Sequence, residues 1–329
     1  MTVAVIGAGS WGTALAAHLR RRGDAVRLWA REPEVVAGIR GQRRNPFFLS
    51  DVDLPEGLEV SADVNAVVER AALIVVAVPS EFFALTLKAI ARLPDGAPVV
   101  SATKGFDPER HVRMTEAIGE RFPEAGVAAL SGPTFAREVA LGRPTAAVIA
   151  ARDAGLASRL QSAIGTRELR LYTNADVVGV ETGGALKNVM AIATGIADGL
   201  GLGENARAAL VTRGLAEITR LAVALGGQPA TMAGLAGIGD LVLTCTGSLS
   251  RNRALGIALA KGQGLEAHEG QTRMIAEGAR TVRSALALSR RHGVSLPICE
   301  EVGAVLFEGK APAAALEALL GRTPTREDG

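Results

Sequence analysis

A short β-branched run, TVAVIG (2–7), breaks into Gly7-Ala8-Gly9-Ser10-Trp11-Gly12, and this break constrains the fold more than any other feature of the chain. The next residues, SWGTALAAHLRRR (10–22), read as an amphipathic helix, and AVRLW (25–29) reads as a second strand. A G-x-G-x-x-G pattern placed between a strand and a helix has a defined physical purpose. Gly7 permits the tight turn, Gly9 lets a pyrophosphate approach the backbone, and Gly12 lets the helix pack against the strands. The N–H groups left free at the helix start then bind the anion. The pattern predicts a dinucleotide site at Gly7, Gly9, Ser10, Trp11 and Gly12.

Further strands are expected at 73–78 (LIVVAV), 97–102, 127–130, 145–150 and, at an edge, 168–172. Helical segments such as 63–71 and 80–92 separate them. Short, fully apolar strands alternating with helices describe an α/β domain with a parallel sheet covered on both faces. After about residue 175 the alternation stops, and Ala/Leu-rich segments at 180–198, 204–225, 251–261, 271–292 and 296–308 predict an all-helical domain. The organisation is therefore 1–175 for the Rossmann-type domain and 176–329 for the helical domain, with a frayed polar tail, RTPTREDG. Hydrophobic residues make up 48% and aromatics only 3%, which favours close helix packing through small side chains over an aromatic-lined groove.

A net charge of +2 gives no reason to expect nucleic acid as a partner. Two cysteines, Cys245 and Cys299, make no disulfide framework. No signal peptide and no membrane-length apolar run are apparent, so a cytoplasmic protein without integral membrane association is expected. His18, placed at the surface or boundary of the first helix, and the remaining histidines show no metal-ligand spacing, so no metal site is expected.

At the end of the second strand, Arg31 suits a ribose 2′-phosphate, whereas the neighbouring Glu32 suits a 2′-hydroxyl. The reading favours NADP(H), with NAD(H) as the alternative. Three loops leave strand ends with small polar residues: VAVPS (76–80), SATKG (101–105, with Lys104) and SGPTFA (131–136, with Gly132 and Thr134). That edge of a doubly wound sheet faces the ligand crevice.

In the second domain, ETGGALKNV (181–189) sets Lys187 and Asn188 inside a small, apolar helical stretch. Burial lowers a lysine toward the range where it exchanges protons at neutral pH; the plainer alternative is a lysine snorkelling from a boundary. Asp240 lies in a glycine-flanked apolar run followed by Thr244. Ser250 reads as an N-cap, with Arg251 and Asn252 beside free helix N–H groups, a fit for a phosphate or for simple capping.

Taken in order, GAGSWGTALA, NPFFL (45–49), VAVPS, SATKG, SGPTFA, ETGGALKNV, GLAGIGDLVLTC (234–245) and SRN resemble the bacterial NAD(P)-dependent glycerol-3-phosphate dehydrogenases over nearly the whole chain. The resemblance implies a helical domain related to that of 6-phosphogluconate dehydrogenase and a homodimeric cytoplasmic enzyme of phospholipid precursor synthesis. It implies reversible reduction of dihydroxyacetone phosphate to sn-glycerol 3-phosphate. Lys187 matches the family's proton-transferring lysine. Lys104, Gly132, Thr134, Asp240, Ser250, Arg251 and Asn252 match its substrate-binding residues. Ser10, Trp11, Arg31, Lys104, Ala136, Arg251, Ile275 and Glu277 match its dinucleotide contacts, and Arg44 is a looser match. The rivals are a related dehydrogenase acting on a carboxylate and a catalytically idle NADP(H)-binding regulator.

Overall fold

Val3, Ala4, Val5 and Ile6 are fully buried, as an apolar strand covered on both faces must be. The computed structural model describes residues 1–270, 276–323 and 326. Strands β1 (Thr2–Ile6), β2 (Ala25–Trp29), β3 (Glu59–Ser61), β4 (Leu73–Val76), β5 (Val99–Ser101), β6 (Val127–Ser131), β7 (Thr145–Ala150) and β8 (Leu169–Asn174) form one sheet, ordered 3-2-1-4-5-6-7-8. Helices α1 (Ser10–Arg21), α2 (Pro33–Gln42), α3 (Val64–Val68), α4 (Ser80–Ala89), α5 (Met114–Arg121), α6 (Ala136–Ala140) and α7 (Ala154–Ile164) accompany it.

The parallel arrangement holds from β3 through β6, and β7 then runs antiparallel to β6. The connection between them carries only the five-residue α6. That helix is about 7.5 Å long at 1.5 Å per residue, too short to return the chain to the start of a neighbouring strand. β8 pairs parallel with β7 and forms the sheet edge expected near 168–172. The short strand β3 was not expected: EVS sits among polar residues and has no periodic signal of its own. His18 is also not a surface residue. It is buried, its Nε2 lies 2.8 Å from the Ile164 carbonyl, and burial lowers its pKa.

The helical part comprises α8 (Val177–Gly199), α9 (Gly203–Ala224), α10 (Pro229–Met232), a turn kinked at Gly237 (Leu235–Gly239), α11 (Asp240–Thr246), α12 (Arg251–Ala260), α13 (Leu265–Gly270), α14 (Glu277–His292), α15 (Pro297–Phe307) and α16 (Pro312–Leu320). The helix expected over 271–292 begins at Glu277 where it is described; residues 271–275, and with them Ile275, lie outside the described residues, as does most of the expected frayed tail. Asp176 caps α8: Oδ1 accepts from Gly179 N at 2.8 Å, and Oδ2 accepts from Gln228 N at 2.8 Å and Thr231 Oγ1 at 2.6 Å. α8 is buried on all sides and runs through the centre of the helical core, so its sequence is mostly small and apolar around the full turn, interrupted at Glu181, Lys187 and Asn188. α12 packs on it almost backbone to backbone. A Cβ on Gly256 would stand 2.2 Å from the Ile192 carbonyl oxygen, and one on Gly195 would stand 2.1 Å from that of Arg253.

The two parts are tied together by buried charge. Arg113, just before α5, donates through Nη1 to Glu181 of α8 at 2.9 Å, and Thr115 N donates to the same carboxylate at 2.9 Å. Burial raises the Glu181 carboxyl, and Arg113 pulls the other way. No helix among the described residues is long and apolar enough to cross a membrane.

Candidate active site

Gly7 sits at φ +111°, where a side chain is strained, and a Cβ there would meet Ala77 backbone at 2.8 Å. A Cβ on Gly12 would lie 1.8 Å from the Gly7 carbonyl oxygen, so α1 can approach β1 only with glycine there. Gly9 differs: nothing lies within 4 Å of a Cβ built on it, and any side chain would enter the cleft in front of α1. No side chain caps α1 at Gly9, and its first N–H groups have no intrahelical acceptor. Asn45 supports the turn from behind, donating to the Ala8 carbonyl at 2.8 Å and Thr13 Oγ1 at 2.9 Å. Its Oδ1 accepts from Phe47 N and Phe48 N, so the NPFFL segment wraps over the cleft.

This cleft, about 930 Å³, runs from the ends of β1, β2 and β4 to α8 and the start of α12. Of the expected residues, Gly7, Gly9, Ser10, Trp11, Arg31, Lys104, Thr134, Ala136, Lys187, Ser250, Arg251, Asn252 and Glu277 line it. Gly12, Gly132 and Asp240 stand behind the lining. Arg44 is outside it, paired with Asp53 at 2.7 Å. Among the described residues no cluster of His, Cys, Asp or Glu could hold a metal ion.

At the inner end lies a buried charge cluster. Asp240 is 0% exposed and Lys187 is 5% exposed. Asp240 Oδ1 accepts from Lys187 Nζ, and Oδ2 accepts from Lys104 Nζ at 2.7 Å. Lys104 Nζ also donates to the Gly132 carbonyl at 3.0 Å. Lys187 Nζ donates to Thr244 Oγ1 at 2.8 Å, whose hydroxyl donates to the Asp240 carbonyl at 2.7 Å. Burial brings Lys187 down to about 7; Asp240 opposes the shift and nearby Lys104 adds to it. Lys187 therefore exchanges a proton in the neutral range while its Nζ is held by two fixed acceptors. The snorkelling alternative does not fit a lysine with these partners.

Facing this cluster, Ser250 caps α12 by accepting from Arg253 N at 3.3 Å, and Arg251 is exposed at the cleft wall. Asn252 is locked between α8 and α14: its Nδ2 donates to Asn188 Oδ1 at 3.0 Å, and its Oδ1 accepts from Gly278 N at 2.9 Å. Glu277, the first residue of α14, is raised by burial, while Arg251, Lys104 and Lys187 pull it down. Thr244 was noted in the sequence only as a neighbour of Asp240. The signal was its i+4 spacing, which puts both side chains on one face of α11.

The sheet order, the glycine turn and the cleft between sheet and helices define the class: a Rossmann-type dehydrogenase fold with a helical second domain. Residues 2–157 match the model of the NAD-dependent glycerol-3-phosphate dehydrogenase N-terminus, and residues 176–317 match that of its C-terminus. A glycerol-3-phosphate dehydrogenase (NAD(P)+) of Koribacter versatilis is 51% identical, covering 99% of this chain and 98% of its own. The Rhodospirillum rubrum protein of the same name is 48% identical over 99% and 94%. The crystal structure of glycerol-3-phosphate dehydrogenase from Coxiella burnetii superimposes with a TM-score of 0.93 at 38% identity, covering 98% of this chain and 99% of that one. The chain belongs to the NAD-dependent glycerol-3-phosphate dehydrogenase family.

Proposed function

We propose that this chain reduces dihydroxyacetone phosphate to sn-glycerol 3-phosphate, reversibly, with hydride from a nicotinamide dinucleotide, and so supplies glycerophospholipid synthesis. The observation that carries the chemistry is the buried Lys187–Asp240–Lys104 cluster at the inner end of the cleft. The relatives at about 50% identity, matched end to end, carry the choice of substrate.

The residues present fit a dinucleotide. The open Cβ direction of Gly9 and the uncapped start of α1 form a cradle for a pyrophosphate, flanked by Ser10 and Trp11. When bound, the nicotinamide supplies the hydride. Ala136, Glu277, Lys104 and Arg251 are assigned to contacts with the dinucleotide, and the match at Ile275 to a further one. Arg31 suits a 2′-phosphate, so NADP(H) is assigned as the preferred cofactor and NAD(H) as the second. Residues 1–175 are assigned as the dinucleotide-binding domain and 176–329 as the substrate and catalytic domain, and the cleft takes residues for both ligands from both parts.

In the reducing direction, the Lys187 ammonium donates a proton from Nζ to the oxygen that becomes the secondary hydroxyl; in the reverse direction the neutral amine takes it back. Asp240, with no exposed surface, fixes Nζ from behind. Arg251 holds the phosphate at the start of α12, a place where helix N–H groups and a guanidinium both favour an anion. Asn252, Ser250 and Thr134 complete that wall, Gly132 is assigned to the substrate site from behind it, its carbonyl accepting from Lys104, and Lys104 bridges substrate and cofactor sides. A homodimer and a cytoplasmic location belong to the same reading.

The test is the initial rate of NADPH oxidation with dihydroxyacetone phosphate, run beside NADH and a Lys187→Ala control. The expected result is turnover that falls in the variant by roughly the 10²–10⁴-fold of a lost general acid. Folded protein that binds dinucleotide yet turns over a 2-ketoacid and not dihydroxyacetone phosphate would overturn the substrate.

A further inference from the structure

The outer end of the cleft holds an arrangement that the reaction at Lys187 does not use. Phe82, Leu85, Thr86 and Ala89 all line the cleft, and their spacing places them on one face of α4. Along this face Thr86 is buried, Phe82 is half-buried and Leu85 is 69% exposed. Opposite it, Arg31 leaves the end of β2 with its guanidinium carbon 4.8 Å from the centre of the Phe82 ring. Arg31 also donates through Nε at 3.1 Å and Nη2 at 3.0 Å to one oxygen, Oε1 of Glu32. Its Nη1 has no protein acceptor among the described residues.

One guanidinium makes both contacts at once, and Glu32 and Phe82 both line the cleft beside it. In a Rossmann sheet this point is where the adenosine ribose of a dinucleotide lies, so a 2′-phosphate would meet Arg31 and Glu32 together. Attraction by one and repulsion by the other leave the balance to the position of the guanidinium. A flat ring face, neutral but with negative electrostatic potential from its quadrupole, supplies that position.

We infer that Phe82 is a positioning residue for cofactor choice: its ring seats Arg31 so that the guanidinium, not Glu32, meets the 2′-position of the dinucleotide. The inference rests on the NADP(H) assignment above. Phe82 acts through Arg31, and the Lys187 cluster lies at the other end of the cleft.

Dissociation constants for NADPH and NADH, measured by nucleotide fluorescence at low and moderate salt, test it in the parent, Arg31→Ala, Phe82→Leu and Phe82→Tyr proteins. The expected result is a loss of NADPH affinity in Phe82→Leu of roughly 2–5-fold, the value of an exposed cation–π contact. NADH affinity should hold, the salt dependence of NADPH binding should flatten, and Phe82→Tyr should restore both. In Phe82→Leu the KM for NADPH should rise in step with the dissociation constant while the KM for NADH holds. If Arg31→Ala selectively loses NADPH while Phe82→Leu keeps the parent ratio, or weakens both nucleotides alike, the role of Phe82 is overturned and the NADP(H) assignment stands. A parent without preference, in which Arg31→Ala weakens both nucleotides equally, overturns the NADP(H) assignment and the inference with it.

Discussion

With its pKa near 7, Lys187 supplies opposite protonation states to the two directions of one reaction. Reduction draws on the ammonium, so kcat/KM for dihydroxyacetone phosphate, which reports the free enzyme, is expected to hold below about pH 7 and to fall up to tenfold per unit above it. Oxidation of glycerol 3-phosphate draws on the free amine and should rise over the same interval. Paired pH–rate profiles check this, and two profiles that move in the same direction would remove Lys187 from the proton step. Lys187 and Asp240 could be singled out in the sequence because a lysine and a carboxylate each interrupt an apolar helical run. Their meeting with Lys104 could not: Lys104 follows β5 and Asp240 opens α11, 136 residues later, so only the tertiary fold joins them.

Among the elements, α8 carries Lys187 and Asn188, and its start is held by one carboxylate that serves three donors. Asp176→Ala would remove the helix cap and leave Gln228 N and Thr231 Oγ1 without their acceptor. The expected cost is about 2–4 kcal/mol, combining a lost cap with buried donors left unpaired. A fall in the urea midpoint at unchanged m-value checks it; a loss below about 0.5 kcal/mol would mean that water replaces the carboxylate. The central strands and long helices were legible because burial on both faces, or all round, writes itself as continuous apolar sequence. The direction of β7 was not, since an antiparallel strand buried on two faces has the same composition as a parallel one. The kinked turn before Asp240 showed only as a glycine cluster, because the close approach of the Met232 backbone to Gly237 is a tertiary contact.

At the scale of the molecule, the Arg113–Glu181 pair joins the sheet side to α8 six residues ahead of Lys187. Arg113→Met leaves a buried carboxylate with only Thr115 beside it, and the expected loss is about 3 kcal/mol, the lower end of the range for breaking a buried pair. The sign with pH follows from Glu181. Burial already raises its folded pKa above 4.5, and losing Arg113 raises it further. The folded state then binds the proton more readily than the unfolded one, and stability falls as pH rises from about 4.5 through the folded pKa. The Tm of Arg113→Met should therefore recover as pH is lowered from 7 to 5, and adding Glu181→Gln should remove most of that dependence. A variant whose Tm deficit is the same at both pH values would assign the loss to packing instead of charge.

One carboxylate shared by two ammonium groups also makes the cluster a proton reservoir. With both lysines protonated, Asp240 leaves one positive charge uncompensated; with Lys187 neutral, none remains. A phosphate ester entering against Arg251 brings negative charge toward that imbalance and favours the protonated cluster, so substrate binding near pH 7 draws a fraction of a proton from the medium. Titration calorimetry in buffers of different ionisation enthalpy reads that uptake directly, as a binding heat that changes with the buffer in the parent and no longer does so in Lys187→Met.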